Sequence, residues 1–299
     1  MLLEAGYEVS VLDDLSTGHK DAIDTRARFV EGSILDSDAL TAALSNCSAV
    51  MHFAGKSLVG ESVEKPDLYR QVNVEGSRKL LDAMNQVGIK KIVFSSSAAT
   101  YGQPDAEMIS EQTPSNPTNP YGDSKLKVDE LLASLAASDG IAAVSLRYFN
   151  VAGALQTSNG WLCERHDPET HLIPNIFKSD VSAPLKVFGT DWPTTDGTCI
   201  RDYIHVVDLI DAHIKALDIL VAGEHEIINL GSGVGYSVRE VINTASRVAG
   251  RAIPSVDVAR RDGDPAILVA SIEKAKKVLN WSPERNLTQM IQDVVSSRD

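Results

Sequence analysis

The alternation of short β-rich runs with stretches of helical periodicity over the first 150 residues constrains this chain more than any other feature. Residues 7–12 read as a strand and residues 38–44 as a short helix, capped by Asp36 or Ser37. Residues 49–53 read as a second strand, and residues 69–87 carry a helical pattern that ends at Gly88. A third strand spans 91–94, a helix spans 125–138 and ends near Gly140, and a fourth strand spans 142–148. Strands separated by helices pair in parallel, because a parallel return needs a crossover, and the helices then cover both faces. The expected fold class is therefore α/β, a doubly wound, Rossmann-like parallel sheet.

Beyond residue 150 the pattern loosens, and Pro, Trp and Gly become frequent, as in Trp192-Pro-Thr-Thr-Asp-Gly197. This predicts a smaller α/β substrate-binding domain. Residues 204–230 read as a helix and a strand returning to the main sheet. The expected division is 1–150 with 203–230 for one domain, and 151–202 with 231–299 for the other.

The formal net charge is −13. Such a surface repels a phosphate backbone, which argues against nucleic acid as a partner and leaves room for a small anionic ligand held by local positive charge. Cys47, Cys163 and Cys199 are odd in number, far apart and in no metal-ligand spacing, so free thiols in a reducing compartment and no metal are expected. No apolar run reaches the length of a membrane span, and no basic segment precedes an apolar stretch at the N-terminus. A cytoplasmic protein without membrane partners is expected.

The strongest chemical signal is Asn119-Pro-Tyr-Gly-Asp-Ser-Lys125. Asn119 suits a helix cap and Pro120 the first helical position. Tyr121 and Lys125 then lie one turn apart on one face. An ammonium beside a phenol favours the phenolate and makes a usable base. Upstream, Phe94-Ser-Ser-Ser-Ala-Ala-Thr-Tyr-Gly102 follows a buried strand, and Ser97 at its C-terminal end would face the ligand crevice of a parallel sheet. Gly231-Ser-Gly-Val-Gly235 looks like a phosphate loop, but it comes late and no acid-tipped strand follows it, so a plain turn is expected.

Met1-Leu-Leu-Glu-Ala-Gly6 reads as the last turns of a helix before a strand ending in Leu12-Asp13. In a dinucleotide-binding fold a strand and a Gly-x-x-Gly-x-x-Gly turn precede that helix, and the sequence does not contain them. Asp13 stands where a carboxylate binds the adenosine ribose diol. The missing strand would lie mid-sheet, so a chain lacking it leaves two interior edges. The expectation is an N-terminally truncated Rossmann domain whose native start lies roughly twenty residues upstream.

Taken together the motifs resemble the UDP-glucose 4-epimerases, within the extended short-chain dehydrogenase/reductase superfamily. The matching stretches include Leu12-Asp-Asp-Leu-Ser-Thr-Gly18, His52-Phe-Ala-Gly55, Asn73-Val-Glu-Gly76, Tyr121 to Lys125 and Leu146-Arg-Tyr-Phe-Asn-Val-Ala-Gly153. Gly197-Thr-Cys-Ile-Arg-Asp-Tyr-Ile-His205 and Arg260-Arg-Asp-Gly-Asp264 carry the likeness toward the C-terminus. The resemblance implies a UDP-hexose 4-epimerase that uses bound NAD, passes through a 4-keto sugar and acts as a homodimer. It implies Ser97, Tyr121 and Lys125 as the catalytic group. Asp13, Phe53, Ala54, Asn73, Ser95, Tyr121, Lys125 and Tyr148 would lie at the cofactor. Ser97, Tyr121, Asn150, Leu172, Phe188, Arg201, Arg261 and Asp264 would surround the UDP-sugar, the arginines as diphosphate ligands because guanidinium binds phosphate in a bidentate way.

His52, His171 and His205 are each expected to be buried, hydrogen-bonded structural imidazoles. The chain departs from the family at Ser33, where an aspartate is usual, and at Ser57, where a lysine is usual and Lys56 is displaced by one. Leu268 stands at a pocket-wall position where some epimerases have tyrosine, and the smaller leucine would admit N-acetylated sugars. Ala98 and Ala99 follow Ser97 where the related dehydratases carry an Asp-Glu pair, so water elimination is not expected. An inactive UDP-sugar-binding remnant, or an epimerase for another nucleotide sugar, remains open at this point.

Overall fold

In the computed structural model, which describes residues 1–261 and 263–298, the strands and crossover helices follow one another in the order read from the sequence. The first are β1 (Ser10–Asp13), β2 (Arg28–Glu31), α1 (Ser37–Leu44), β3 (Val50–His52), α2 (Val59–Glu64), α3 (Pro66–Tyr69), α4 (Gly76–Gln86), β4 (Lys91–Ser97), α5 (Pro120–Asp139) and β5 (Ala142–Tyr148). Next come β6 (Asn150–Ala152), β7 (Leu155–Thr157), β8 (Gly160–Leu162), α6 (Leu172–Lys178), β9 (Leu185–Phe188), β10 (Ile200–His205), α7 (Val206–Ala216) and β11 (His225–Leu230). The last are β12 (Gly235–Ser237), α8 (Val238–Ala249), β13 (Ser255–Val258), β14 (Ile267–Leu268), α9 (Glu273–Leu279) and α10 (Leu287–Ser296).

Local chemistry sets the helix ends. The Asp36 carboxylate accepts the amides of Asp38 and Ala39 and opens α1. At the end of α4 the Ile89 N–H reaches the Met84 carbonyl at 2.8 Å and the Gly88 N–H reaches Asn85 at 3.2 Å. Gly88 sits at φ +78°, a left-handed position that favours glycine. Residues 1–6 form a turn closed in the same way at Gly6. The helix expected over 69–87 is interrupted: residues Arg70–Glu75 form a π turn between α3 and α4. Such wide turns collect at functional sites, and this one contains Asn73.

Contacts divide the chain into two units. The first comprises Met1–Gly102, Ser115–Arg147 and Asp211–Ile228. Its strands form a four-stranded sheet in the order β11-β5-β4-β3 and a separate pair, β1-β2. β3 runs parallel to β4 (Val50 opposite Ile92) and β1 parallel to β2 (Ser10 opposite Arg28). β4, paired on both sides, is buried from Ile92 onward, whereas β1, paired on one side among the described residues, is half-buried throughout. Leu40, Leu80, Met84, Phe94, Val128 and Leu132 join α1, α4 and α5 to the strands in one core.

The second unit, only slightly smaller, comprises Gln103–Pro114, Tyr148–Ile210 and Asn229–Asp299. Its hub is β10, which pairs parallel with β6 and β14 and antiparallel with β12. Leu287, Met290, Ile291 and Val294 line one face of α10, the i, i+3, i+4, i+7 stripe of a helix packed on a core.

The division differs from the expected one by a few residues at 148–150 and 229–230 and more widely at two places. Residues 103–114 join the second unit because Ile109 bridges to Ala270, its N–H reaching Val269 and its carbonyl accepting from Ser271, each at 2.8 Å. Residues 203–210 also belong to the second unit, since β10 is its central strand.

Candidate active site

α5 begins as its sequence dictates. The Asn119 side chain accepts the Gly122 N–H at 2.9 Å, and Pro120 fills the first position. Tyr121 and Lys125 follow, both buried, with the Tyr121 ring edge-on to Tyr69. The Lys125 Nζ donates to the Ser95 carbonyl at 2.8 Å, lies 4.8 Å from the Phe94 ring centroid and 5.9 Å from that of Tyr121. Burial pushes the Lys125 ammonium down to about 8, and the charge of Asp129 opposes that fall.

Asp129 continues the same face one turn on. Its Oδ2 accepts Arg147 Nε at 3.0 Å and Ser96 Oγ at 3.1 Å, with Arg147 Nη2 at 2.9 Å. Both side chains of this ion pair are almost wholly inside, 2% and 3% exposed. Tyr121, Lys125 and Asp129 thus recur every four residues. The reading of the sequence missed Asp129; its place four residues after Lys125 was the available signal.

The three serines at the end of β4 have separate tasks. Ser95 holds Lys125 through its carbonyl and meets His213 Nε2 at 3.1 Å through its hydroxyl. Ser96 serves Asp129. Ser97 accepts the Ala99 N–H at 3.1 Å and opens a short 3-10 turn, Ala98–Tyr101.

Asn73 reaches from the π turn to the segment after β3. Its Oδ1 accepts the Lys56 N–H at 2.7 Å, and its Nδ2 donates to the Lys56 carbonyl and the Ser124 hydroxyl, each at 2.9 Å. The neighbouring Gly55 has no room for a side chain: a Cβ there would stand 2.9 Å from Asn73 Oδ1 and 3.9 Å from Lys125 Nζ. Glycine at this position lets the backbone pass close to Asn73 and the ammonium. Phe53 and Ala54 are exposed at the tip of β3, with the Phe53 ring stacked on His213 at 4.9 Å. At the tip of β1 the Asp13 carboxylate accepts the Leu15 N–H at 2.7 Å and packs closely on Gly18. Lys56 Nζ donates to Ser16 at 3.3 Å, and Ser33 accepts the Leu35 N–H at 3.2 Å. A strand-tip carboxylate, an exposed aromatic ring and a buried cation suit a dinucleotide lying across the strand ends.

Within the second unit the structure pairs two sets of expected residues. Arg201 on β10 is half-buried and faces Asp264, Nη2 to Oδ1 3.6 Å. The exposed Arg261 guanidinium lies 3.7 Å from the Phe188 ring centroid, a cation–π contact. Asn150 Nδ2 donates to the Asp202 carbonyl at 3.0 Å. Leu172 is the first residue of α6 and Tyr148 the last of β5. Asp262, between Arg261 and Gly263, lies outside the described residues.

Asp202 explains the glycine-rich turn at 231–235. Its carboxylate accepts the amides of Ser232, Gly233 and Ala270 and the Ser232 hydroxyl at 2.6–3.1 Å. A Cβ on Gly231 would fall 2.5 Å from Asp202 Oδ2, so the glycine admits the carboxylate. The amides of Ser232 and Gly233 are thus satisfied by protein.

His52 meets Ser77 at 2.8 Å, and full burial pushes its imidazole down to about 3. His205 accepts the Val207 N–H at Nδ1, so its Nε2 hydrogen points to Asp293, 2.9 Å away. Both are structural imidazoles. His171 differs from expectation: it is exposed and faces Glu164.

A model of the NAD dependent epimerase/dehydratase family matches residues 1–231. The chain is 48% identical to a UDP-glucose 4-epimerase of Corynebacterium glutamicum over 98% of this chain and 89% of that protein. A crystal structure of a UDP-glucose 4-epimerase superposes with a TM-score of 0.94 at 43% identity, covering 99% of this chain and 92% of that one. The UDP-glucose 4-epimerase from Bifidobacterium longum in complex with NAD+ and UDP superposes with a TM-score of 0.93 at 36% identity, covering 99% and 92%.

Proposed function

The chain belongs to the NAD dependent epimerase/dehydratase family, and from that premise we propose that it is an isomerase interconverting UDP-galactose and UDP-glucose. The observation that carries this reading is the buried Tyr121 and Lys125 pair on α5, with Lys125 anchored to the Ser95 carbonyl near the end of β4. The Lys125 ammonium stabilises the Tyr121 phenolate, which takes the proton from the sugar 4-hydroxyl and later returns it to the same oxygen. Ser97 accepts a backbone N–H, so its own hydrogen is the one it offers to that oxygen. When bound, NAD would supply a reversible hydride acceptor at C4, so that hydride could return to the opposite face. Inversion at C4 follows with no net change in oxidation state.

On this reading the first unit holds NAD. Asp13 takes the adenosine ribose diol and Lys125 the nicotinamide ribose. Phe53, Ala54 and Ser95 lie along the cofactor, Tyr148 is assigned to it by the family likeness alone, and Asn73 acts by holding the Lys56 backbone beside Gly55. The second unit takes the UDP-sugar: Arg201 and Arg261 hold the diphosphate, with Asn150, Leu172, Phe188 and Asp264 around the nucleotide and sugar. Elimination of water is disfavoured, since Ala98 and Ala99 bring neither acid nor base into the turn after Ser97. We further read the enzyme as a cytoplasmic homodimer of galactose metabolism, which rests on the family likeness. No helix among the described residues is long and apolar enough to cross a membrane.

The test is UDP-glucose formation from UDP-galactose by the purified chain with NAD, with UDP-N-acetylgalactosamine in parallel. Conversion of the first supports the reading, and its absence contradicts it. Half-buried Leu268, opposite Arg201 on β14, predicts turnover of the second as well. No detectable use of it would remove the proposal of a wider pocket.

A further inference from the structure

Four side chains that ligate metals converge in the segment between β8 and α6: Glu164, His166, Glu169 and His171. Each offers one ligand atom, and the four atoms lie within 4.8 Å of one another. His166 Nδ1 stands 2.7 Å from Glu164 Oε1, His171 Nδ1 also contacts Glu164 Oε1, and Glu169 Oε1 is 3.6 Å from His171 Nδ1. We propose that these residues bind one divalent cation of the zinc class, tying the end of the β7-β8 hairpin to the start of α6.

The donor set points to that class. Two imidazole nitrogens and two carboxylate oxygens suit zinc and its neighbours, whereas calcium and magnesium take oxygen shells. The Glu169–His171 separation matches what such an ion requires, and the two imidazole contacts to Glu164 are tighter, as direct hydrogen bonds. Bonds of roughly 2.0–2.2 Å in a tetrahedron place ligand atoms about 3.3–3.6 Å apart, within small side-chain rotations of the present arrangement. The ligands are also held from behind. The Glu169 side chain is 3% exposed, and its Oε1 accepts the amides of Thr170 and His171 at 2.8 and 2.9 Å. Asn175, one turn into α6, donates to the Glu169 and His171 carbonyls at 3.2 and 2.9 Å. His171 is the cap residue of α6 but makes no side-chain cap bond, which leaves its ring to the cluster.

An ion here fastens the residues that lead into Leu172, and the site lies wholly within the second unit. It rests on these four residues and does not depend on the epimerase reading. The alternative is that imidazole–carboxylate hydrogen bonds alone hold the segment.

The experiment uses the full chain, freed of any histidine tag, stripped with a chelator and dialysed against zinc. Bound metal is counted by mass spectrometry, and the melting temperature is read with and without zinc. The expected result is one zinc per chain, with a melting temperature that rises with zinc concentration as binding to the folded state requires. The His166→Ala/His171→Ala double variant should bind at least about 100-fold more weakly, since two of four ligands are gone. Glu164→Gln keeps the shape of the carboxylate and should weaken binding without unfolding the chain. Cobalt in place of zinc should give the visible absorption of a tetrahedral site, which Glu164→Gln should reduce. No zinc above background in the wild-type chain, or equal zinc in a folded double variant or in Glu164→Gln, would overturn the proposal.

Discussion

The cluster on α5 and β4 and the cluster around β10 contain comparable residues built in opposite ways. In the first, a lysine, an aspartate and an arginine are buried on regular elements, and hydrogen bonds from neighbouring strands and helices hold them. In the second, Arg201 and Arg261 are half-buried or exposed, each with a single main side-chain companion. The first is fixed before any ligand arrives, and such fixed charge stabilises a transition state without reorganisation. The second resembles a binding surface that completes its partners from the ligand. Changes in the first region should therefore lower kcat or stability, and changes in the second should mainly raise KM.

The largest expected effect is that of Tyr121→Phe. Loss of the general base should lower kcat by about 10²–10⁴, with the melting temperature nearly unchanged. Steady-state rates and a thermal melt check both, and an arginine variant that lowered kcat as far would break the comparison. Next is Asp129→Ala, which leaves the buried Arg147 guanidinium without its partner. Chemical denaturation should show a loss of about 3–5 kcal/mol. The Asp129→Ala/Arg147→Met double variant should lose less than the sum of the two single changes.

Arg261→Ala should raise KM for UDP-galactose by roughly 10- to 100-fold, the worth of one charge-assisted contact, and leave the melting temperature in place. A drop in kcat with KM unchanged would move Arg261 into the catalytic group. The smallest effect concerns acid. The His52 imidazole is held near 3 by burial, against an ordinary value of 6.5. Between those values the unfolded chain binds a proton that the folded chain does not, so stability is lost as pH falls. At pH 5 the loss relative to neutral pH is about 2 kcal/mol. His52→Gln should flatten that part of the pH–stability curve, and an unchanged slope would remove His52 as its cause.

What could be read from the sequence was what residues a turn apart decide. Asn119 and Pro120 announced the start of α5, the four-residue step from Tyr121 to Lys125 announced the pair, and Gly88 and Gly140 announced helix ends. The alternation of strands and helices announced the parallel sheet. Contacts between distant residues were not legible. Asp202 reaches a turn 30 residues on, and Ile109 draws residues 103–114 to Ala270, with no local pattern to show either. The π turn at 70–75 was hidden because its residues keep a helical periodicity, and the Asn73 contacts to Lys56 lie far apart in sequence. Arg201, Arg261, Phe188 and Asp264 entered through family likeness alone, since an exposed arginine has no spacing that separates a phosphate ligand from a surface ion pair.

The most direct test of the central claim is to follow UDP-galactose by proton NMR in D2O with the purified chain, NAD and, in parallel, the Tyr121→Phe variant. The expected product is UDP-glucose that retains ordinary hydrogen at C4, because hydride leaves and returns without meeting solvent, and the rate should collapse in the variant. Deuterium at C4, no interconversion, or an undiminished rate in Tyr121→Phe would contradict that claim.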